Sequence, residues 1–349
     1  MKVAIVNSMA PFVWGGAEEL AFHLAANIRR RGHSAEIYRI PFAWDPFDEL
    51  PNEVARSKAI NMANFDRVIS MKFPVYYLEA KHHSTWLVHQ YRQAYDMWDS
   101  PYCNIPHTSE GEAIRDLIVA HDNEALRSRD RLFTISQEVS DRLERFNGIS
   151  AAPLRAPLND PELFVGGACG GYILAPGRIN ASKRQHLLVE AIAHLGPSAR
   201  LIVAGPPERE EDGALLRELV ERHSLEDRVK LDLRFLDRQE LADYVNNCRA
   251  VAYIPYQEDS YGYVTMEAFE AGKPVITTDD SGELIEIVLD GVTGSVSAPN
   301  AEMLAEAMAR YLGSERLAIE RGQAGRALWR GTGINWPDNI DRLLGNEQC

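Results

Sequence analysis

The sequence has few cysteines, and they are scattered. Cys103, Cys169, Cys248 and Cys349 lie far apart and form no C-x-x-C pair. This spacing argues against a zinc site and against a disulfide framework, and it is typical of proteins from a reducing cytoplasm. A run of about 18 apolar residues is also lacking, so we expect no transmembrane helix. The N-terminal stretch MKVAIVNSMAPF has too short an apolar part for a signal peptide.

Positive charge is scarce as well. The chain holds 37 Lys and Arg against 51 Asp and Glu, for a net charge of −14, which disfavours nucleic acid as a partner. Residues 1–160 have 18 basic and 21 acidic residues (net −3), whereas residues 161–349 have 19 and 30 (net −11). A phosphate site in the second half would therefore need basic residues placed close to it.

The dinucleotide fingerprint G-x-G-x-x-G is missing, although the chain begins with an α/β pattern. An apolar run at residues 2–7 precedes Gly15 and Gly16, and residues 17–31 then repeat apolar side chains at helical spacing. A second strand is predicted at 35–40. The Gly-Gly pair is open to two interpretations. It lies either in a loop that needs close backbone approach, or in a turn whose backbone at Gly16 faces phosphates or an acceptor across a cleft.

The domain organisation is predicted from the length of the chain and from the positions of its prolines and glycines. At 349 residues the chain is too long for one core. Residues 151–171 contain three prolines and four glycines without a helical period, so they predict a linker. We predict an α/β protein with two facing Rossmann-like domains and an interdomain cleft. The predicted domains are 1–155 and 156–330, with a C-terminal helix in 331–349 that crosses back to the first domain.

One stretch, Gln257 to Thr278, combines the features of a phosphate site. A predicted strand at 250–255 runs into an acidic loop with Asp259, turns at Gly262 and opens a helix that carries Glu267 in its second turn. Free backbone N–H groups at such a junction favour an anion, and phosphate is the usual one. A carboxylate one turn further on would lie near a sugar hydroxyl attached to that phosphate. The stretch therefore predicts a sugar-nucleotide site.

Two further features are expected at the same edge of the second sheet. Arg178 and Lys183 follow the predicted strand 172–175, five residues apart, and can reach one diphosphate from two sides. The loop from Ser260 to Val264 presents its amides to the same point. Taken alone, Arg and Lys near a helix start are usually solvated, so the prediction rests on the combination.

In the first half, His89 ends a predicted parallel strand, where open α/β sheets place ligands. It can equally be a structural histidine. Tyr91, Tyr95 and Trp98 follow it, and they are either stacking surfaces for an acceptor sugar or core residues. The sequence leaves both pairs of alternatives open.

In these motifs the chain resembles glycosyltransferase family 4, the retaining GT-B enzymes of glycosyl transferases group 1. The family's G-G-A-E and R-G-H correspond to residues 15–18 and 31–33, and its G-R-x-x-x-x-K to Gly177, Arg178 and Lys183. Its A-G turn corresponds to residues 204–205. The segment E-S-F-G-x-x-x-x-E-A-x-A-x-G-x-P-V corresponds to residues 259–275. The similarity extends over nearly the whole chain.

The resemblance implies a retaining transfer of a hexosyl group from a nucleotide-diphosphate sugar, UDP- or GDP-linked, without a metal or another cofactor. The implied catalytic residues are Arg178 and Lys183 on the diphosphate, Asp259 on the donor sugar, and His89 near that sugar. The implied donor-binding residues are Gly16, Gly205, Tyr261, Gly262, Tyr263, Val264 and Glu267. Glu267 would hold the ribose hydroxyls. The implied acceptor is a hydroxyl of a glycan, possibly lipid-linked, or of a small molecule, as in polysaccharide biosynthesis.

One departure from the family pattern is Asp259, which stands where the family has glutamate, while Glu258 precedes it. Three interpretations stay open: Glu258 substitutes for that glutamate, or the donor sugar differs in the hydroxyl that is recognised, or activity is weak. The last leaves a catalytically weak sugar-nucleotide or glycan binder as the alternative function. An NAD-dependent dehydrogenase is a second alternative, against which the missing fingerprint counts. We expect a cytoplasmic protein with possible peripheral contact to the inner membrane face, since Arg29, Arg30 and Arg31 suit either an anionic surface or a helix C-terminus.

Overall fold

A computed structural model describes residues 1–9 and 14–346. The chain divides into two compact units, Met1–Pro157 with Ile334–Cys349, and Leu158–Gly333. The first division falls inside the Pro- and Gly-rich segment 151–171. Within the described residues, each helix is too short or too polar to cross a membrane.

The first unit is built around a six-stranded parallel sheet. Its elements in chain order are β1 (Lys2–Met9), α1 (Gly16–Arg30), β2 (Ser34–Pro41), α2 (Leu50–Lys58), β3 (Arg67–Lys72), β4 (His83–His89), α3 (Ser109–Arg127), β5 (Arg131–Thr134), α4 (Gln137–Asn147) and β6 (Ala152–Pro153). The strand order is β2-β1-β3-β4-β5-β6. β1 is buried along most of its length, as an apolar strand covered by helices on both faces should be.

The second unit contains another six-stranded parallel sheet. Its elements are β7 (Ile173–Pro176), α5 (Gln185–Ala193), β8 (Leu201–Ala204), α6 (Glu210–Arg222), β9 (Val229–Asp232), α7 (Arg238–Asn247), β10 (Ala250–Ala252), α8 (Gly262–Glu270), β11 (Val275–Thr278), β12 (Gly294–Ser297), α9 (Ala301–Gly313) and α10 (Glu315–Gly331). The order β12-β11-β10-β7-β8-β9 is the Rossmann order, which reverses between β7 and β10. The predicted α/β class with two Rossmann-like sheets is confirmed.

A last helix, α11 (Trp336–Leu344), belongs to the first unit. Asn335 caps it by accepting from the Asp338 amide, and Gly345 ends it in the left-handed region. Its Trp336 ring packs edge-on against Trp86, with ring centroids 6.2 Å apart. Trp86 is fully buried, and its indole N–H donates to the Leu154 carbonyl at 2.7 Å. The end of the chain therefore completes the core of the first unit.

Several elements differ from the sequence expectation. The predicted strand 250–255 forms ladder pairs only over Ala250–Ala252, and residues 253–255 continue as a loop. α3 was not predicted, although it is 19 residues long. Its start depends on Thr108, whose side chain accepts from the Gly111 amide, and on close packing of Gly111 against the Pro106 carbonyl. That close approach is a tertiary contact which no periodicity reveals.

Candidate functional site

The candidate site lies at the carboxyl edge of the second sheet, at the switch point between β7 and β10. The chain leaves β7 through Gly177 and returns through a short 3-10 turn, Ala181–Lys183, whose cap is Asn180. The Asn180 side chain accepts from the Lys183 amide at 3.0 Å. This turn places the Lys183 side chain over the end of β10.

The loops after β7 and β8 touch at Gly205. It has φ +146°, and a Cβ there would lie 2.2 Å from the Gly177 carbonyl oxygen. Any side chain would separate the two loops. The sequence predicted Gly205 as donor-binding, and the structure shows that it fixes the shape of the neighbouring loop, which carries Arg178.

Lys183 forms a partly buried cluster with Tyr253 and Glu258. Its ammonium donates to the Tyr253 hydroxyl at 2.8 Å and pairs with Glu258, and the tyrosine hydroxyl donates to the same carboxylate at 3.0 Å. Burial lowers the pKa of Lys183, but the neighbouring charge of Glu258 outweighs this and holds the pKa above its usual value. Lys183 is therefore protonated at neutral pH. Glu258, which the sequence offered as a substitute for Asp259, is instead the carboxylate partner of Lys183.

Arg178 is held in a similar way. Its guanidinium lies 3.3 Å from Glu208, to which the Asn180 amide also donates at 2.8 Å. The Arg178 side chain is 37% exposed, so it can turn toward a ligand at little cost. Both predicted cations thus have carboxylate partners in an acidic half of the chain.

The first turn of α8 faces the loop that carries Arg178. A Cβ on Gly177 would lie 3.7 Å from Val264 in that turn. Gly262 opens α8 with φ +68°, and a Cβ there would lie 2.7 Å from the Tyr253 ring, so only glycine fits. The amides of Tyr263 and Val264 lie at a helix N-terminus, which attracts anions. Asp259 and Tyr261 are half-buried on the preceding loop.

Glu267, predicted to hold ribose, is 2% exposed on α8. It forms an ion pair with Arg238 at the start of α7. Arg238 also donates to the Asn159 carbonyl at 2.8 Å and lies over the Phe164 ring. The carboxylate is therefore held in one orientation by a residue that the sequence had not singled out.

Arg184 is a second residue that sequence reasoning missed. It has φ 55° and makes a bidentate pair with Asp280, with both N–O distances 2.7 Å. The same guanidinium donates to the carbonyls of Ile254 and Pro255 at 2.9 and 3.0 Å. Burial raises the pKa of Asp280, but the hydrogen bonds from Arg184 lower it by more. The pKa of this carboxyl therefore lies below its usual value. Arg184 thus joins the loops that follow β7, β10 and β11.

In the first unit, Gly16 and His89 are both at the carboxyl edge of the sheet. Gly16 opens α1, and Glu18 in the first turn of that helix has a carboxylate that accepts from the Gly15 amide at 3.0 Å and from Lys72 at 3.1 Å. His89 is half-buried beside Lys72 in the ladder of β3 and β4. Its Nδ1 lies 2.8 Å from the Gln90 carbonyl oxygen.

The aromatic residues after His89 are core residues. Tyr91, Tyr95 and Trp98 are 6%, 4% and 7% exposed, and the segment forms only a 3-10 turn at Arg92–Ala94. The Tyr95 hydroxyl donates at 2.6 Å to Asp122, a fully buried carboxylate whose pKa is raised by burial. Of the two interpretations, stacking on an acceptor sugar is therefore wrong for these three rings.

Among residues 1–9 and 14–346, no group of three or more His, Cys, Asp or Glu side chains is arranged to hold a metal ion.

The second unit matches a known family. Residues 170–328 match the family model described as Glycosyl transferases group 1. The chain is 31% identical to D-inositol 3-phosphate glycosyltransferase of Mycolicibacterium smegmatis over 176 residues, which are 49% of this chain and 38% of that protein. The chain therefore spans less than half the length of this curated relative.

Solved structures match almost the whole fold. Sucrose-phosphate synthase of Thermosynechococcus elongatus has a TM-score of 0.76 and 18% identity, over 97% of this chain and 96% of that one. HepE of Anabaena, solved in complex with UDP-glucose, has a TM-score of 0.70 and 16% identity, over 98% of both chains. Both matches show the GT-B fold predicted from the motifs. The chain thus has the fold of these glycosyltransferases, and its residues 170–328 are similar to the family of glycosyl transferases group 1.

Proposed function

We propose that the chain is a retaining, metal-independent glycosyltransferase that moves a hexosyl group from a nucleotide-diphosphate sugar to a hydroxyl acceptor. The observation that carries the proposal is the convergence of Lys183, Arg178 and the N-terminus of α8 at the switch point of the second sheet. Three sources of positive potential there suit a diphosphate.

The chemistry explains why these groups are useful. When the bond between the anomeric carbon and the diphosphate breaks, its electron pair moves to the phosphate oxygen, which gains negative charge. A protonated Lys183 stabilises that charge most where it is fullest, in the transition state. The acceptor oxygen bonds to the anomeric carbon and its proton passes to the departing diphosphate. Because fixed cations and amides already neutralise the leaving group, this step does not require a divalent ion.

Glu267 and Asp259 are proposed to hold hydroxyl groups, of the ribose and of the donor sugar respectively. Arg238 supports the first role because it fixes the Glu267 carboxylate, and we regard it as a positioning residue. The roles of His89, Gly16, Gly205 and Tyr261 remain predictions from the family resemblance.

Donor and acceptor are proposed by class. UDP- or GDP-sugars are the proposed donors, and UDP-glucose is the first to test because a protein of the same fold was solved with it. The proposed acceptor is a glycan, lipid-linked or small-molecule hydroxyl bound by the first unit. A cytoplasmic location is also proposed and is supported by the few scattered cysteines.

The decisive test is Lys183→Ala. Release of free nucleotide from UDP- and GDP-sugars would be measured with and without acceptor mixtures. We expect kcat to fall about 100- to 1,000-fold, as for other lost stabilisers of transition-state charge, with far-UV circular dichroism unchanged. Lys230→Ala is the matched control, because Lys230 is exposed and lies outside the candidate site, where its ammonium donates to Tyr244. Equal turnover in the two variants would refute the site.

The alternative, a sugar-nucleotide binder without activity, is favoured by two observations. Both cations are paired with carboxylates, and Asp259 is shorter than the glutamate of the family. Calorimetry of the wild-type protein with the same donors separates the two functions. A donor that binds but is neither hydrolysed nor transferred would favour the binder.

A further inference from the structure

A second pocket lies at the opposite, amino edge of the second sheet. Its volume is about 400 Å³, within the range of small-molecule sites. Its walls are the segment 165–169 before β7, Arg249 before β10, the turn 271–273 before β11, and one side of α10. It shares no residue with the candidate donor site, and all of its lining residues belong to the second unit.

The charge of this pocket is opposite to that of the unit around it. Three cations, Arg249, Lys273 and Arg326, line it against one carboxylate, Glu315. The Arg249 guanidinium lies 3.5 Å from Glu315 and donates to the Cys169 carbonyl at 3.2 Å. A cationic pocket in the acidic half of the chain favours an anionic ligand.

Lys273 is the residue that the fold does not account for. It is only 5% exposed, and its ammonium has no hydrogen-bond or ion-pair partner within the described part of the chain. An ammonium that no carboxylate of the fold neutralises is available to an anion in the pocket. Lys273 lines the pocket, and an anion bound there would supply the missing counter-charge.

The walls of the pocket are formed by close backbone packing. Gly166 has φ +78°, and a Cβ there would lie 2.7 Å from the Ala271 carbonyl oxygen. Its amide is held by the Asn246 side chain at 2.9 Å. On the other side, a Cβ on Gly322 would lie 1.9 Å from the Gly272 carbonyl oxygen. Arg326 joins the two walls, because it donates to the carbonyls of Glu270 and Val165 at 2.6 and 3.1 Å.

We propose that this pocket binds the phosphate group of a small phosphorylated metabolite, with Lys273 as the central ligand. Phosphate suits the site because its oxygens can accept simultaneously from an ammonium and from guanidinium groups. The volume leaves room for a compact organic part attached to the phosphate.

The test is calorimetry with glycerol 3-phosphate, with inorganic phosphate, and with glycerol as the uncharged control. Wild-type protein is expected to bind both phosphates but not glycerol. Lys273→Met removes the charge and keeps the side-chain length, so it should weaken phosphate binding about tenfold or more through loss of a charge-assisted contact. Lys230→Met is the matched control and should bind like the wild type.

Lys183→Met separates this pocket from the donor site. Binding of glycerol 3-phosphate should survive Lys183→Met and be lost in Lys273→Met. The reverse pattern would show that phosphate occupies only the donor site and would overturn the proposal, as would no binding to the wild-type protein. Thermal unfolding without ligand verifies that Lys273→Met is folded, and Arg249→Gln gives a second variant with the same expected loss.

Discussion

The Lys183–Glu258 pair predicts that loss of one residue of the candidate site strengthens ligand binding there instead of weakening it. In Glu258→Gln, removal of a partner from the candidate site should strengthen the binding of UDP. In the unliganded protein Glu258 is paired with the Lys183 ammonium, which a bound diphosphate would also contact. The variant also removes a negative charge that would repel the incoming phosphates.

The magnitude follows from the geometry. A phosphate bound to Lys183 would lie about 6 Å from the Glu258 carboxylate, and at an effective dielectric constant of about 20 the repulsion is about 3 kcal/mol. The two side chains are 19% and 21% exposed, so we take about half of that value to allow for solvent and salt screening. About 1.4 kcal/mol corresponds to a tenfold gain in affinity.

The assay is calorimetry with UDP alone, because a donor sugar could itself contact Glu258. Glu226→Gln is the control, since Glu226 is exposed next to β9 and the net charge changes equally. At pH 7 Lys183 is protonated in the wild type, and the difference between the variants should shrink as salt is added. Equal or weaker UDP binding in Glu258→Gln than in Glu226→Gln would refute the reasoning.

Two further predictions concern stability. Burial, aided by Arg129 and Arg67, lowers the pKa of His83 to about 3, against about 6.5 in an unfolded chain. The unfolded state therefore binds the extra proton, and between pH 7.5 and 5.5 this residue should cost about 1.4 kcal/mol of unfolding free energy. Urea titrations should show that part of the pH dependence disappearing in His83→Gln, and an unchanged dependence would contradict the assignment. Gly205→Ala should destabilise the second unit by about 2 kcal/mol or more, because Gly205 has a positive φ and its new Cβ would lie 2.2 Å from the Gly177 carbonyl oxygen. Gly196→Ala is the control, since Gly196 has open space around it, and its effect should stay within about 0.5 kcal/mol. Equal melting temperatures for the two glycine variants would contradict this prediction.

Local signals in the sequence were sufficient for many elements. α9 is an example, because Asn300 caps its start by accepting from the Met303 amide and its apolar residues repeat at helical spacing. The predicted turn at Gly262 is correct because only glycine tolerates φ +68° beside the Tyr253 ring. Strand ends were less predictable. Residues 253–255 are as apolar as β10 itself, yet they leave the ladder to form the loop beside Lys183.

The partners of the site residues were beyond sequence reasoning. Lys183 and Glu258 are 75 residues apart, and Arg184 and Asp280 are 96 apart. No periodicity links such positions, because strand order and the crossing of loops decide which side chains meet. The sequence provided the residue types of a phosphate site, whereas the fold decided which carboxylate lies against which cation.

The sequence by itself determined the α/β fold class of this protein, since apolar strands, capped helices and glycine turns are specified by residues that lie close together in the chain. It also determined that a diphosphate site would need local cations, because the second half is strongly acidic. Only the tertiary structure decided that Glu267 is held by Arg238 and that Tyr95 is a core residue. It also left Lys273 buried beside a cationic pocket at the far edge of the sheet. The physical reason is that charge pairing and burial depend on distances in space, which the chain acquires only when its sheets form.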